Sequence, residues 1–164
     1  MNSPEKVYHE HRTAVYHTAL SFLRDAAIAE DVMQDVFLTY CEQLKSGARI
    51  RNLRAWLLTV TRNLCRNLLR DRHEYPEENL PEAPMEDPAL RLHEQDAVDR
   101  LLSHLSENEK LAFSLHYLDG YTYREIAIGL DLPIGTVQTR CRTARKKLKA
   151  ALKQENARKK EASI

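Results

Sequence analysis

The sequence predicts an all-α protein made of two small helical domains joined by a flexible acidic linker. Glycine and proline are scarce, at four and six of 164 residues, and apolar residues recur at three- and four-residue spacing over long stretches. Both features are typical of helices rather than of a turn-rich sheet fold. Prolines and acids dominate residues 74–89, a composition that cannot bury enough apolar surface to fold alone. The predicted domains are therefore 1–73 and 90–153, followed by a basic tail at 154–164.

Three helices are predicted in the first domain. Apolar stripes indicate one helix from Glu5 to Arg24 and a second from Ala27 to Leu44. Ser46 and Gly47 break the pattern, and Asn52 can cap a third helix. The apolar stripe of this third helix consists of Leu53, Trp56, Leu57, Val60, Leu64 and Leu68. Trp56 could stack on DNA, but its place on the stripe favours a packing role.

Two polar surfaces stand out in this domain. The second helix carries Asp31, Gln34 and Asp35 away from its apolar stripe. Like charges one turn apart are unfavourable in an isolated helix, so they suit a basic partner better than solvent, although a merely solvated face is the alternative. The opposite side of the third helix is polar and basic, and amide and guanidinium groups can hold a single strand. That side consists of Thr59, Arg62, Asn63, Arg66 and Arg70.

The second domain contains two predicted capping boxes, Ser106 with Glu109 and Thr122 with Glu125. The second box opens a short helix at 123–129, followed by a tight turn at 130–132. Pro133 then begins a long helix to about Lys153, since proline is tolerated at a first helical position. Its buried stripe is predicted to hold Val137, Cys141, Ala144, Leu148 and Ala151, and residues 154–164 are expected to fray.

These two helices and their short turn predict a helix-turn-helix. The small Ala127 lets the helix backbones approach closely, so that the second helix can present its outer face to a major groove. A plain helical hairpin with a solvated basic side is the alternative. The residues predicted to contact duplex DNA are Thr136, Gln138, Thr139, Arg140, Arg142, Thr143, Arg145 and Lys146.

Charge and cysteine usage narrow the class further. The net charge of +1 conceals an acidic stretch at 74–99 and a basic one at 140–160, and a basic helix of that density commonly faces phosphate. Cys41, Cys65 and Cys141 are far apart and lack a Cys-x-x-Cys spacing, which argues against disulfides and a zinc site. The N-terminus lacks a signal pattern and no apolar run could cross a bilayer, so a cytoplasmic protein without membrane insertion is expected.

The sequence resembles a known family at both ends. The run YTYREIA at 121–127, followed by LPIGTV at 132–137, is similar to region 4 of the extracytoplasmic-function sigma factors, which belong to the sigma-70 superfamily. AEDVMQDVF at 29–37 resembles region 2.2, while LRAWL at 53–57 and RNL at 62–64 resemble regions 2.3 and 2.4. One departure is Asp131, where the family usually has glycine; aspartate can adopt the left-handed conformation, with some strain.

The resemblance implies a function for each surface. Region 2 of that family binds the clamp helices of the largest polymerase subunit and captures the minus-10 strand, which implies roles for Asp31, Gln34 and Asp35 and for Asn52, Thr59, Arg62, Asn63 and Arg66 respectively. Region 4 reads the minus-35 duplex and meets the flap of the second-largest subunit. The loop at 45–52 corresponds to the one that takes a flipped base. An anti-sigma partner, and a stress or envelope-signal regulon, are also implied.

Alternatives remain for the role of the linker and for the class of protein. The linker can be a solvated tether or can thread the RNA path of the polymerase. A stand-alone helix-turn-helix regulator would bind duplex operators by itself, usually as a dimer, but the acidic second helix and Asn63 argue against it. An enzyme is not expected, because the sequence has no Gly-rich phosphate loop, and His9 and His11 should point to different helix faces. No cofactor or metal is expected either.

Overall fold

The computed structural model describes residues 3–74 and 93–163. All regular secondary structure in these two stretches is helical, which confirms the predicted all-α class. The predicted acidic linker lies, except for its first residue, outside the described residues.

The first helical unit contains α1 (Pro4–Leu23), α2 (Ala26–Lys45) and α3 (Leu53–Glu74). Each helix begins at a side chain that accepts a backbone N–H, which satisfies a donor that the first turn leaves without a partner. Ser3 accepts from Lys6, Asp25 from Ile28, and Asn52 from Ala55 over 3.1 Å. The predicted cap at Asn52 is therefore confirmed.

Apolar side chains from all three helices form the core of this unit. The fully or nearly fully buried members include Val7, Val15, Ala19, Val32, Val36, Phe37, Tyr40, Leu57 and Cys65. Tyr8, Tyr16 and Leu20 of α1 lie half-buried against that core. Trp56 is half-buried there too, with its ring 6.0 Å from that of Tyr40, which confirms its packing role.

The second unit contains α4 (His93–Leu102), α5 (Glu107–Phe113), α6 (Tyr123–Leu130) and α7 (Ile134–Ala162). Helix α5 continues into a π-helical turn at Ser114–Leu118, which the sequence did not indicate. Both predicted capping boxes are present, each with its reciprocal pair of hydrogen bonds. The boxes fix where α5 and α6 begin.

The turn between α6 and α7 has the geometry expected for a helix-turn-helix. Asp131 adopts the left-handed conformation, with φ 56° and ψ 51°, as predicted. The Leu132 N–H donates to the Ala127 carbonyl over 2.9 Å and closes the end of α6. Aspartate thus serves in a place where glycine would be less strained.

Helix α7 is longer than predicted. The expected fraying after Lys153 is wrong, because the helix continues without interruption to Ala162. Residues 154–162 contain neither glycine nor proline and are rich in alanine, glutamate, lysine and arginine, all strong helix formers. Lys159 and Lys160 in the last turn also complement the negative end of the helix dipole.

Asp119 directly follows the π-helical turn, and burial disfavours the charged form of its carboxyl group. Its Oδ2 is buried without a hydrogen-bond partner, and desolvation raises its pKa from 3.8 to about 6. The folded state therefore binds this proton more tightly than the unfolded chain does, and stability falls as pH rises from about 4 to about 6.

Replacing Asp119 by asparagine is expected to stabilise the protein at pH 7 and to have almost no effect at pH 4. The free energy of unfolding at pH 7 should increase by about 1 kcal/mol, a value reduced for solvent screening because Asp119 is only half-buried as a residue. Thermal unfolding midpoints of the two proteins at both pH values measure it. Asp71→Asn, at an exposed position of α3, is the control. An equal increase in the unfolding midpoint at both pH values would show that titration of Asp119 is not the cause.

Candidate nucleic-acid interface

Helix α7 separates buried from exposed side chains sharply. Val137, Cys141 and Ala144 are each 0% exposed. Burial raises the pKa of the Cys141 thiol to about 11, as expected of a packed core thiol rather than a reactive one. The predicted DNA-facing residues Gln138, Thr139, Arg142, Arg145 and Lys146 are exposed, while Thr136, Arg140 and Thr143 are half-exposed. The set therefore lies on the outward side of a helix whose inner side is fixed in the core.

Two basic side chains of α7 make contacts within the second unit. Lys147 donates to both oxygens of Glu109 on α5, over 3.0 and 2.9 Å. This bond, together with the capping hydrogen bond to Ser106, lowers the pKa of Glu109. The Arg145 guanidinium lies 5.7 Å from the centre of the Tyr117 ring, within cation–π distance. Lys147 is thus occupied within the fold, whereas its neighbour Lys146 faces solvent.

The packing of α6 against α7 sets how far this face projects. Ile126 and Val137 are fully buried, Ala127 is 7% exposed, and all three belong to one core cluster. That Ala127 lets the two helix backbones approach closely stays a prediction from the sequence. This packing fixes the inner side of α7 in the core and leaves its outer side exposed.

The residues of the predicted single-strand site on α3 differ in their exposure. Asn63 and Arg66 are exposed, and Asn52 is exposed while capping the helix. The Thr59 hydroxyl donates to the Ala55 carbonyl over 2.8 Å. Arg62 is half-buried, and its Nη1 donates over 2.9 Å to the Gly129 carbonyl of α6. Three of the five residues are thus exposed and Thr59 is half-buried, whereas the Arg62 side chain is hydrogen-bonded to the second unit.

Helix α2 presents the predicted acidic surface. Asp31, Gln34 and Asp35 are exposed, while Val32 and Val36 on the opposite side are buried. Leu38, which was not among the predicted residues of this surface, is 62% exposed and lies one turn beyond Gln34 and Asp35. An exposed leucine beside carboxylates enlarges this surface with an apolar contact of the kind found at protein interfaces. Its spacing from Asp31 and Asp35 could have revealed it.

Residues 3–74 and 93–163 contain no group of three or more histidine, cysteine, aspartate or glutamate side chains that could hold a metal ion. Within the same ranges, none of the helices combines the length and apolar character needed to span a membrane.

Comparison with protein families gives matches to both units. Residues 7–74 match the family model described as sigma-70 region 2, and residues 95–148 match sigma-70, region 4. Among curated proteins, the chain is 30% identical over 165 residues to the ECF RNA polymerase sigma factor SigL of Mycobacterium tuberculosis, covering 90% of this chain and 88% of that protein. It is also 30% identical over 141 residues to EcfG of Rhodopseudomonas palustris, covering 82% and 76%.

Solved structures also resemble this chain over more than nine-tenths of its length, and two of them are complexes. One is the sigma factor RpoE in complex with the anti-sigma factor NepR from Bartonella quintana, with a TM-score of 0.59 and 26% identity over 91% of this chain and 96% of that chain. The other is CnrH in complex with the cytosolic domain of CnrY, with a TM-score of 0.59 and 27% identity over 92% and 88%.

Proposed function

This chain belongs to the extracytoplasmic-function sigma factors, which direct bacterial RNA polymerase to promoters, and we propose that it divides this work among three surfaces. Helix α7 reads the minus-35 duplex, the polar side of α3 captures the minus-10 strand, and the acidic face of α2 binds the polymerase. The residues proposed for each surface are those predicted from the sequence.

The main support for this proposal is that α7 has one side buried in the core and the other exposed. Its core-facing residues are wholly buried, so Gln138, Arg142 and Lys146 extend from a rigid helix in one direction. Arginine can contact a guanine edge with two hydrogen bonds, and glutamine can do the same with adenine. Arg140 and Arg145 flank this face, where guanidinium groups suit phosphate contacts that fix the helix in its groove.

Helix α2 is proposed to bind the clamp helices of the largest polymerase subunit. Asp31 and Asp35 supply negative charge one turn apart, and the exposed Leu38 supplies an apolar centre. Complementary charge increases association rate and specificity, while a buried apolar residue contributes affinity. We propose that the second unit meets the flap of the second-largest subunit, as the family resemblance implies.

Regulation and location are proposed by similarity. Both solved neighbours are complexes, one with the anti-sigma factor NepR and one with the cytosolic domain of CnrY. We propose that an anti-sigma factor likewise restrains this chain in the cytoplasm until a stress or envelope signal releases it. We also propose that the chain acts without catalysis of its own, which a nuclease assay on duplex and single-stranded DNA would test.

Reconstitution with bacterial core RNA polymerase tests the proposed function. Purified protein is mixed with core enzyme, co-elution is followed by gel filtration, and transcripts are sequenced from a library of promoter fragments. Co-elution with a restricted set of transcripts supports the proposal and identifies the promoter. Failure to bind core, combined with tight binding of a duplex operator by the protein alone, would instead indicate a stand-alone regulator.

A further inference from the structure

Besides the core of the first unit, a second core cluster contains residues from both helical units. Ala14 of α1 and Leu58 of α3 lie in the same cluster as helix-turn-helix residues such as Ile126 and Leu130. Ala14 is 1% exposed and Leu58 is 0% exposed, so neither belongs to a free surface of the first unit. In this arrangement α6 packs on α3, and α5 approaches α1.

One glycine permits the closest approach. Gly129 of α6 is buried against Leu58, and a Cβ added to this glycine would overlap the Leu58 Cβ and lie 3.0 Å from its Cδ1. The Leu58 Cβ is attached directly to the backbone of α3, so a rotamer change cannot relieve the overlap. Any larger residue at 129 must therefore push the two helices apart.

Polar contacts surround this apolar centre and link the same units. The Arg54 Nη1 donates over 2.7 Å to the Gly120 carbonyl and lies 3.8 Å from the Glu125 carboxylate. His11 Nδ1 and the Tyr121 hydroxyl are 2.8 Å apart in a buried hydrogen bond. Such contacts are directional, so they specify one orientation of the units where apolar packing alone would tolerate several.

These contacts involve one ridge of α3. Arg54, Leu58 and Arg62 recur every four residues, which places them in line along one side of the helix. Arg54 bonds to Gly120, Leu58 packs on Gly129, and Arg62 donates to the Gly129 carbonyl. The ridge therefore runs beneath the helix-turn-helix and ends at a residue proposed to bind the single strand.

We propose that the free protein adopts this closed arrangement, in which α6 covers the 54–58–62 ridge of α3, and that capture of unpaired promoter DNA requires α6 to leave the ridge. The inference rests on the proposed function of Arg62. Its guanidinium donates to Gly129, and its buried Nε has no hydrogen-bond partner in the described structure. The same group cannot turn toward a DNA backbone while α6 is docked. Opening therefore couples release of α6 to exposure of Arg62.

Gly129→Ala is the variant that tests this coupling. Alanine is a better helix former than glycine, so the change should favour α6 itself while opposing its docking on Leu58. Gly135→Ala is the matched control, because a Cβ added at this position of α7 has no neighbouring atom within 4 Å. Circular dichroism checks that both variants retain the helical content of the native protein.

Electron paramagnetic resonance can measure the distance between the units. Spin labels are attached to Glu42→Cys on α2 and Ala150→Cys on α7, both exposed positions, in a Cys41→Ser background. The remaining cysteines are 0% exposed, and burial raises the pKa of both thiols, so the label should not react with them. This measurement requires neither DNA nor polymerase.

The native protein and Gly135→Ala should give one narrow distance distribution, and Gly129→Ala a longer and broader one. Binding of a fluorescent pool of random-sequence single-stranded DNA should increase about tenfold in Gly129→Ala. Adding Arg62→Ala to Gly129→Ala should remove most of that gain. Arg54→Ala, which removes the contacts to Gly120 and Glu125, should shift the distance in the same direction by a smaller amount.

Unchanged distances in both Gly129→Ala and Arg54→Ala would overturn the proposal, and so would a longer distance without a gain in single-strand binding. Failure of the proposed function has a different signature. In that case the native protein would not bind core polymerase, whatever the distance between its two units.

Discussion

Replacing Asp35 by arginine is expected to weaken binding to core RNA polymerase by about a hundredfold, or roughly 3 kcal/mol. Asp35 is exposed on α2, one turn after Asp31, on the surface proposed to meet the polymerase clamp. Charge reversal would remove an attraction and place a cation against a basic partner, and like charges across an interface are strongly unfavourable. Titration of labelled core enzyme with each protein measures the change in Kd.

Asp71→Arg is the matched control for this prediction. It makes the same charge reversal at an exposed position of the same unit, on α3 rather than α2. Both variants should retain the unfolding midpoint of the native protein, and Asp35→Arg should still bind duplex promoter DNA by itself. Equal losses of polymerase binding in both variants would show that net charge, rather than the face of α2, governs this interaction.

Replacing Arg142 by alanine is expected to weaken recognition of the upstream duplex by about 10- to 100-fold, since a bidentate contact to a base contributes about 1–3 kcal/mol. Arg142 is exposed on α7 and directly follows Cys141, which is buried on the core-facing side of the helix. Affinity for a minus-35 duplex, determined by fluorescence anisotropy at two salt concentrations, separates base recognition from general attraction to phosphate. Arg12→Ala, at an exposed position of α1, is the control for loss of a positive charge.

Asn63→Ala should have the complementary effect. We expect it to reduce promoter opening by about tenfold or more, as for the loss of one contact to an unpaired base, and to leave upstream duplex binding unchanged. Permanganate reactivity of unpaired thymines in complexes with polymerase measures opening directly. Asn108→Ala, at an exposed position of α5, is the matched asparagine control. If Arg142→Ala and Asn63→Ala impaired the same step equally, the proposed division between α7 and α3 would be wrong.

The sequence by itself determined the helices, their beginnings and the helix-turn-helix. These features depend on residues close together in the chain: Asn52 caps α3 through Ala55, and Thr122 forms its capping box with Glu125. Helical periodicity likewise placed Val137 and Cys141 inside and Arg142 outside. The exposed positions of Asp31, Gln34, Asp35 and Asn63 followed from the same periodicity, whereas their binding roles remain predictions.

The arrangement of the two units was decided by the tertiary structure alone. On the helical period of α3, Leu58 and Arg62 fall outside the stripe that packs on α1 and α2, and Leu58 became core only because α6 docks on it. Arg62 and Gly129 are 67 residues apart in the chain, and His11 and Tyr121 are 110 apart. Helical periodicity shows which side of a helix needs a neighbour, but the neighbour is selected by shape and hydrogen bonding between distant segments.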